Sequence, residues 1–299
     1  MVTLDTVAKD GVQDEYGDYA IYKYLAESHQ GENFRNHRRK LGEVFGKLSE
    51  TEYKHYQFWK KYSPSTVPKV SKLKLYGIVV IEALLGATFA IKFLERHEKT
   101  SLKQVRTVEK YIPEEDRPQF DEMVKDEQEH EVDLAAQVQG SFIKYMSFIV
   151  LGLADAIVEI SGIHAGSLGV YKSTELTGLA GIIAGAAASM AMASAAYAQA
   201  KQGFQGSAKI SAVMTGVSYF INAVCLAAPY FLTKNAIEAM SVSLFIATIV
   251  LAGTSYYNSI ISGSQFVRDF VELAGIMYGA TIALYLFGEA MRVLIGITI

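Results

Sequence analysis

Apolar residues recur at helical spacing through the first 140 positions, and no stretch there alternates apolar with polar residues like a half-buried strand. The pattern predicts four long helices, at about 12–30, 32–62, 72–98 and 118–139, with Pro64 and Pro68 between the second and third. A connector at about 100–117 contains a short helix ending near Pro113. Four helices with one longer connection predict a four-helix bundle. From residue 141 the pattern changes to five apolar runs, at about 142–168, 175–199, 209–232, 236–261 and 269–296. Each exceeds the roughly 20 residues that cross a bilayer. The predicted fold is all-α: a helical bundle over residues 1–139, then a five-span transmembrane domain over 140–299.

One run in the first half competes with this division. Leu75 to Leu94 is apolar except for Glu82 and Lys92, and its length approaches that of a membrane span. Its charged flanks, and Glu82 near its middle, favour a helix buried in the bundle.

Charge sharpens the boundary. Residues 1–140 hold 21 Lys+Arg and 24 Asp+Glu, whereas 141–299 hold 7 and 7, which together make the 28 and 31 of the chain. Five of the six histidines lie in the first half, His164 being the exception. A soluble domain followed by a membrane domain is implied, and a wholly soluble protein is excluded. A net charge of -3 argues against a nucleic-acid partner held by a basic field. The single cysteine, Cys225, excludes a disulfide framework within one chain. The first residues lack the apolar core and small-residue cleavage site of a secretory signal, so the soluble half is expected in the cytoplasm.

The candidate chemistry of the soluble half lies in carboxylates and histidines. The second helix carries Glu52-Tyr-Lys-His55 and the fourth Glu127-Gln-Glu-His130. In each Glu-x-x-His the two side chains share a helical face. Glu52 and His55 interrupt an apolar stripe formed by Leu41, Phe45, Leu48 and Trp59. Glu127 and His130 interrupt another, formed by Phe120, Met123, Leu134 and Val138. Carboxylates on a core-facing stripe are costly unless paired or bound to metal. Glu15 on the first helix and Glu82 on the third complete the ligand set of a di-iron or di-manganese carboxylate bundle. Oxygen plus imidazole ligands suit Fe or Mn without separating them. Glu50, Glu95, Glu98, Glu129 and Glu131 are assigned to solvated faces.

The stretch Glu15-Tyr-Gly-Asp-Tyr-Ala-Ile-Tyr22, followed by Glu52-x-x-His55, resembles the first half of a rubrerythrin or ferritin-like domain. The resemblance covers about residues 10–138 and implies a ferritin-like bundle with Glu15, Glu52, His55, Glu82, Glu127 and His130 as di-iron ligands. No Cys-x-x-Cys pair is present, so the electron-transfer module of full rubrerythrins is missing.

In the membrane half, Asp155 and Glu159 stand one turn apart near the middle of the first span, with no basic residue in that turn. Intramembrane carboxylates mark ion or proton pathways by default. Arg268 with Glu272, and Glu289 with Arg292, can pair on their own helix near span ends. His164 and Cys225 are assigned to packing. Met190 in the second span is core by habit, but its thioether can serve as a soft ligand. Gly162-x-x-x-Gly166, Gly181-x-x-x-Gly185 and Gly275-x-x-x-Gly279 permit close helix approach. Lys144, Lys201, Lys209 and Arg268 on the N-terminal side, against Lys172, Lys234 and Arg292 on the other, place the N-terminus in the cytoplasm.

Gly152-Leu-Ala-Asp155-Ala and Ala184-Gly185-Ala-Ala-Ala-Ser189-Met190, with the five-span count, resemble the vacuolar iron transporter family. The resemblance implies a homodimer that exports Fe(II), and often Mn(II), from the cytosol against protons, with Asp155 and Met190 on the pathway. The family's second-span glutamate falls here near Gly181 or Ile182 and is missing, and Glu159 is the candidate replacement. The combination resembles the membrane-bound ferritin type of bacterial and archaeal protein. The expectation is an integral protein of a prokaryotic cell membrane whose cytosolic di-metal domain captures or senses the metal. The alternative is a membrane-anchored di-iron oxidase or peroxidase.

Overall fold

The computed structural model describes residues 3–29, 36–137, 141–203 and 206–296, and every regular element among them is helical. The chain divides into two compact units, residues 1–143 and 144–299.

In the first unit, α1 (Leu4–Ser28) packs along α2 (Asn36–Tyr62), α2 packs on α5 (Arg117–Gln137), α5 on α4 (Ala87–Val108) and α4 on α1. These four helices therefore close a ring. The first helix begins eight residues before its expected start at 12. The Thr3 side chain accepts a hydrogen bond from the Thr6 amide, which satisfies an otherwise orphaned N–H of the first turn. Val7, Ala8 and Val12 are buried against α2 and α5, where Trp59 and Phe120 lie.

The expected third helix is two helices. Gly86, at φ 91°, ends α3 (Lys72–Leu85) and starts α4. That backbone conformation suits glycine and breaks the helical ladder. Nor is α3 buried: of its residues only Ile78 is, while Leu73, Tyr76, Val80 and Leu84 are exposed. The expected connector at 100–117 is shorter than predicted, because α4 continues to Val108; a 3-10 turn at Glu109–Tyr111 follows, just ahead of Pro113.

Two apolar layers occupy the ring. One joins Ile21 and Leu25 of α1, Phe45 and Leu48 of α2, and Ile91 and Leu94 of α4. The other joins Val12 with Phe58, Trp59, Phe120 and Met123. Between these layers along α1 and α2 fall Glu15, Glu52 and His55.

The second unit holds α6 (Ser141–Tyr171), α7 (Thr174–Ala200), α8 (Ala208–Leu232), α9 (Ala236–Ser262) and α10 (Phe266–Ile295). All five are long and apolar enough to cross a membrane. α7 packs along α8, α8 on α9, and α9 on α10. The polar stripe Thr215, Ser218, Tyr219 and Asn222 lays α8 against α6: the first two donate to the carbonyls of Phe148 and Ile149, and Asn222 to that of Leu153.

The glycine pairs differ in use. A Cβ at Gly162 would meet Leu284 of α10 at 2.5 Å, and one at Gly288 would meet the Gly166 carbonyl at 2.2 Å. The glycine face of the first span is thus occupied within the chain and is not free to pair with a second copy. Gly275 and Gly279 have open space around them. Both expected same-helix ion pairs form, Arg268 with Glu272 at 2.9 Å and Arg292 with Glu289 at 2.8 Å. Lys172 also pairs with Glu289.

Candidate metal centre

Glu15 of α1, Glu52 and His55 of α2, and Glu127 of α5 converge, each offering one ligand atom within 4.8 Å of the others. Helical geometry explains the convergence. Glu52 and His55 are three residues apart and share a face. That face points into the ring because Leu48 and Trp59 on the same stripe are buried. Glu52 is 1% exposed and His55 3%.

His55 organises the group. Its Nδ1 lies 2.9 Å from Glu127, 3.5 Å from Glu52 and 3.7 Å from Glu15. Its Nε2 lies 3.6 Å from the carboxylate of Asp126. Burial opposes the imidazolium, but the carboxylates of Glu127, Glu15 and Glu52 outweigh it and hold His55 above its ordinary pKa. Burial pushes Glu52 well above the usual carboxylate range; Glu127 and Glu15 push the same way, against His55.

If all three carboxylates were ionised around one imidazolium, two negative charges would be in excess. Buried charge of that kind is retained only with a compensating cation or with protons. The donor set fits a first-row divalent ion. Oxygen and nitrogen ligands at about 2.0–2.2 Å from a metal have opposing atoms about 4–4.5 Å apart, close to the observed spread. An inward Nδ1 with an outward Nε2 facing Asp126 is also the arrangement by which an outer carboxylate orients a ligating imidazole.

A cavity of about 50 Å³ adjoins the cluster, lined in part by Asp10, Asp14, Glu15, Asp18, Trp59 and Glu127. Asp10, Asp14 and Asp18 recur every fourth residue, an acidic strip on one face of α1. The Trp59 Nε1 is buried and has no hydrogen-bond partner among the described residues. The cavity is large enough for water to serve it. Asp18 is held by Lys74 at 2.8 Å. Burial nevertheless raises its pKa from 3.8 to about 6; Lys74 opposes the rise, and Glu15 and Asp14 add to it.

The other expected ligands fall differently. Glu82 lies in the last turn of α3, 3.4 Å from His29 at the end of α1. His29 is fourteen residues beyond Glu15, about 20 Å along a helix, so Glu82 stands apart from the cluster. The side chain of His130 lies outside the described residues, as do those of Glu98, Glu129 and Glu131. Glu95 departs from expectation. The sequence pattern predicts a solvated face for it, but it is buried at 5% exposure on α4. With α4 starting at Ala87, the stripe Ala87, Ile91, Leu94 points Glu95 inward, a signal hidden as long as the Gly86 break is not recognised.

In the second unit, Asp155 is half-buried and Glu159 exposed on α6. Tyr219 of α8 donates a 2.6 Å hydrogen bond to Glu159. Sequence reading missed this partner, although Tyr219 falls within the polar stripe of α8. Met190 is 69% exposed. His164 is buried against Tyr230, with ring centroids 4.5 Å apart. Neither ring nitrogen has a hydrogen-bond partner among the described residues. A Cβ at Gly181 would stand 2.0 Å from its Nε2, so the imidazole fills the space beside the second span where a side chain at 181 would begin. Cys225 is exposed.

No protein-family model, curated protein or solved structure matches the chain.

Proposed function

We propose that the protein carries Fe(II), and also Mn(II), out of the cytosol in exchange for protons, with a cytosolic ferritin-like domain that captures the metal before transport. The observation that carries this reading is the presence in one chain of a buried Glu/His cluster and of a five-span unit with two carboxylates at mid-helix. The ring of α1, α2, α5 and α4 around Glu-x-x-His supports the likeness to ferritin-like bundles. The Gly152–Asp155 and Ala184–Met190 motifs support the likeness to vacuolar iron transporters.

Asp155 and Glu159 are the pathway groups in this reading. An ionised carboxylate facing lipid is costly. In this reading the exposed Glu159 is covered by water or by a second copy, and the protein is a homodimer in a prokaryotic cell membrane with the pathway along α6. A metal ion leaving these carboxylates and protons arriving on them keep the local charge balanced. Met190 lines the same route as a soft contact.

The test is flux into proteoliposomes of the full chain, with Fe(II) and Mn(II) compared and lumenal pH recorded. Asp155→Asn abolishes flux and the coupled pH change while metal content of the N-terminal domain stays at the wild-type level. Flux at the wild-type rate in Asp155→Asn overturns the assignment. Absence of flux from wild type, together with peroxide consumption by the metal-loaded protein, favours the membrane-anchored oxidase.

A further inference from the structure

The outer face of α3 lies open among the described residues. Leu73, Tyr76, Val80 and Leu84 are 85%, 60%, 54% and 64% exposed. Their spacing puts them on one side of the helix. The other side is already used: Ile78 is buried in the bundle core, and Leu75, Val79 and Ile81 pack against it. α3 is therefore apolar all round, the pattern of a helix enclosed on every side rather than of one facing water. Between Leu73 and Leu84 the one exposed charged residue is Lys74, which Asp18 holds at 2.8 Å. Val67 and Val70, just ahead of the helix, are exposed as well. A contiguous apolar patch of this kind marks an interaction surface.

The charges around the patch select its partner. Residues 62–81 hold three lysines and no carboxylate, in a chain whose net charge is -3. Lys69 and Lys72 are exposed at the N-terminal edge of the patch. A second copy would bring the same lysines and no acid to meet them, because an isologous contact pairs a patch with itself. An anionic bilayer supplies the complement: phosphates for the lysines, acyl chains for the leucines and valine, and a boundary that suits Tyr76. Such a surface is within reach. Seven residues separate Gln137, the end of α5, from Tyr145, where the first span begins, and even fully extended they cover only about 25 Å. We propose that α3 is an interfacial anchor that lies in the headgroup boundary of an anionic membrane, with Leu73, Tyr76, Val80 and Leu84 among the acyl chains and Lys69 and Lys72 on the phosphates. The proposal rests on the reading of the five apolar helices as membrane spans and is independent of metal binding and transport. A helix docked in this way sinks about 5–10 Å into the boundary. Each lysine at an anionic surface strengthens the docking by about fivefold.

The experiment uses the full chain in lipid nanodiscs of mixed phosphatidylcholine and phosphatidylglycerol. A spin label is placed on Val80→Cys in a Cys225→Ser background, with Leu73→Cys as a second site, and helix content by circular dichroism shows that each variant folds. Power saturation compares collisions with oxygen, which concentrates among acyl chains, and with a water-soluble nickel chelate. The expected result is an excess of oxygen over nickel collisions at both sites, and the reverse at Asp121→Cys, exposed on α5. Lys69→Gln with Lys72→Gln is expected to weaken docking about 25-fold and to return nickel contact, as phosphatidylcholine alone does. A label at 80 or 73 as open to nickel as that at 121 overturns the anchor. A label closed to both reagents, with dipolar broadening that fades on dilution with unlabelled chain, assigns the face to a second copy and overturns it as well. Lipid contact unchanged in phosphatidylcholine alone overturns the choice of anionic headgroups. A chain that stays in solution without detergent or lipid overturns the spans together with the anchor.

Discussion

The Nδ1 of His55 lies 2.9 Å from a carboxylate oxygen of Glu127, joining α2 to α5 across the polar layer of the first unit. Both side chains are buried, and each offers an atom to the cluster that could hold a metal ion. Replacing either by glutamine is expected to abolish tight binding of Fe(II) or Mn(II). Asp126→Asn, which touches only the far side of the imidazole, is expected to weaken binding about 10–100-fold. Glu82→Gln is expected to leave it unchanged. Equilibrium dialysis with metal analysis checks all three, and a loss in Glu82→Gln equal to that in Glu127→Gln would remove the distinction.

Two glycines of α1 separate packing from propensity. A Cβ at Gly11 would stand 2.6 Å from the Trp59 ring, whereas one at Gly17 meets nothing within 4 Å. Gly11→Ala forces the buried indole to move and is expected to cost about 1–3 kcal/mol. Gly17→Ala is expected to stabilise by about 0.5–1 kcal/mol through helix propensity. Trp59 is the only tryptophan, so urea unfolding followed by its fluorescence reports on this unit alone. Equal shifts of the same sign for the two variants would count against the packing described.

Asp18 makes stability depend on pH. Its pKa is raised to about 6 in the folded chain, against 3.8 unfolded, so the folded state holds the proton more tightly. The stability this group contributes is fully present below about pH 4 and is lost as pH rises through about 6. The change is on the order of 3 kcal/mol, taking about 1.4 kcal/mol per pKa unit. Asp18→Asn is expected to flatten this part of the profile. The check is the difference in unfolding free energy between variant and wild type, measured with chelator near pH 4 and near pH 7. A difference that does not change with pH would contradict the raised pKa.

In the second unit, Gly181→Ala is expected to be severe, because the atom it meets belongs to the buried ring of His164 rather than to a flexible side-chain end. Gly275→Ala and Gly279→Ala are expected to be nearly neutral for the fold of one chain. Thermal loss of monodispersity in detergent measures this, and His164→Ala in the Gly181→Ala background is expected to recover part of the loss.

Much of the architecture was legible because it is written in repeated signals. The five spans were expected within a few residues of their observed ends, since charge depletion over twenty residues leaves little choice. Glu52 and His55 were legible because the apolar stripe fixes which face is inside. The break at Gly86 was not, because a lone glycine in an apolar run carries no signal for the sign of its φ. That single miss moved Glu82 into the site and Glu95 out of the interior. The pairing of Tyr219 with Glu159 depends on how α8 is rotated against α6, a tertiary fact without a local sequence signature.

The break at Gly86 also governs topology by parity. The cluster draws Glu15, Glu52 and His55 from before α3 and Glu127 from after it, so the chain between them must cross the bilayer an even number of times. A fourteen-residue helix reaches only about 21 Å, short of a hydrocarbon core about 30 Å thick. Had residues 72–94 formed one straight span, α1 and α2 would lie on the opposite side of the membrane from α5, and no folding on either side could reunite the four side chains. One glycine at positive φ thus stands between a convergent Glu/His cluster and the same side chains stranded in two compartments.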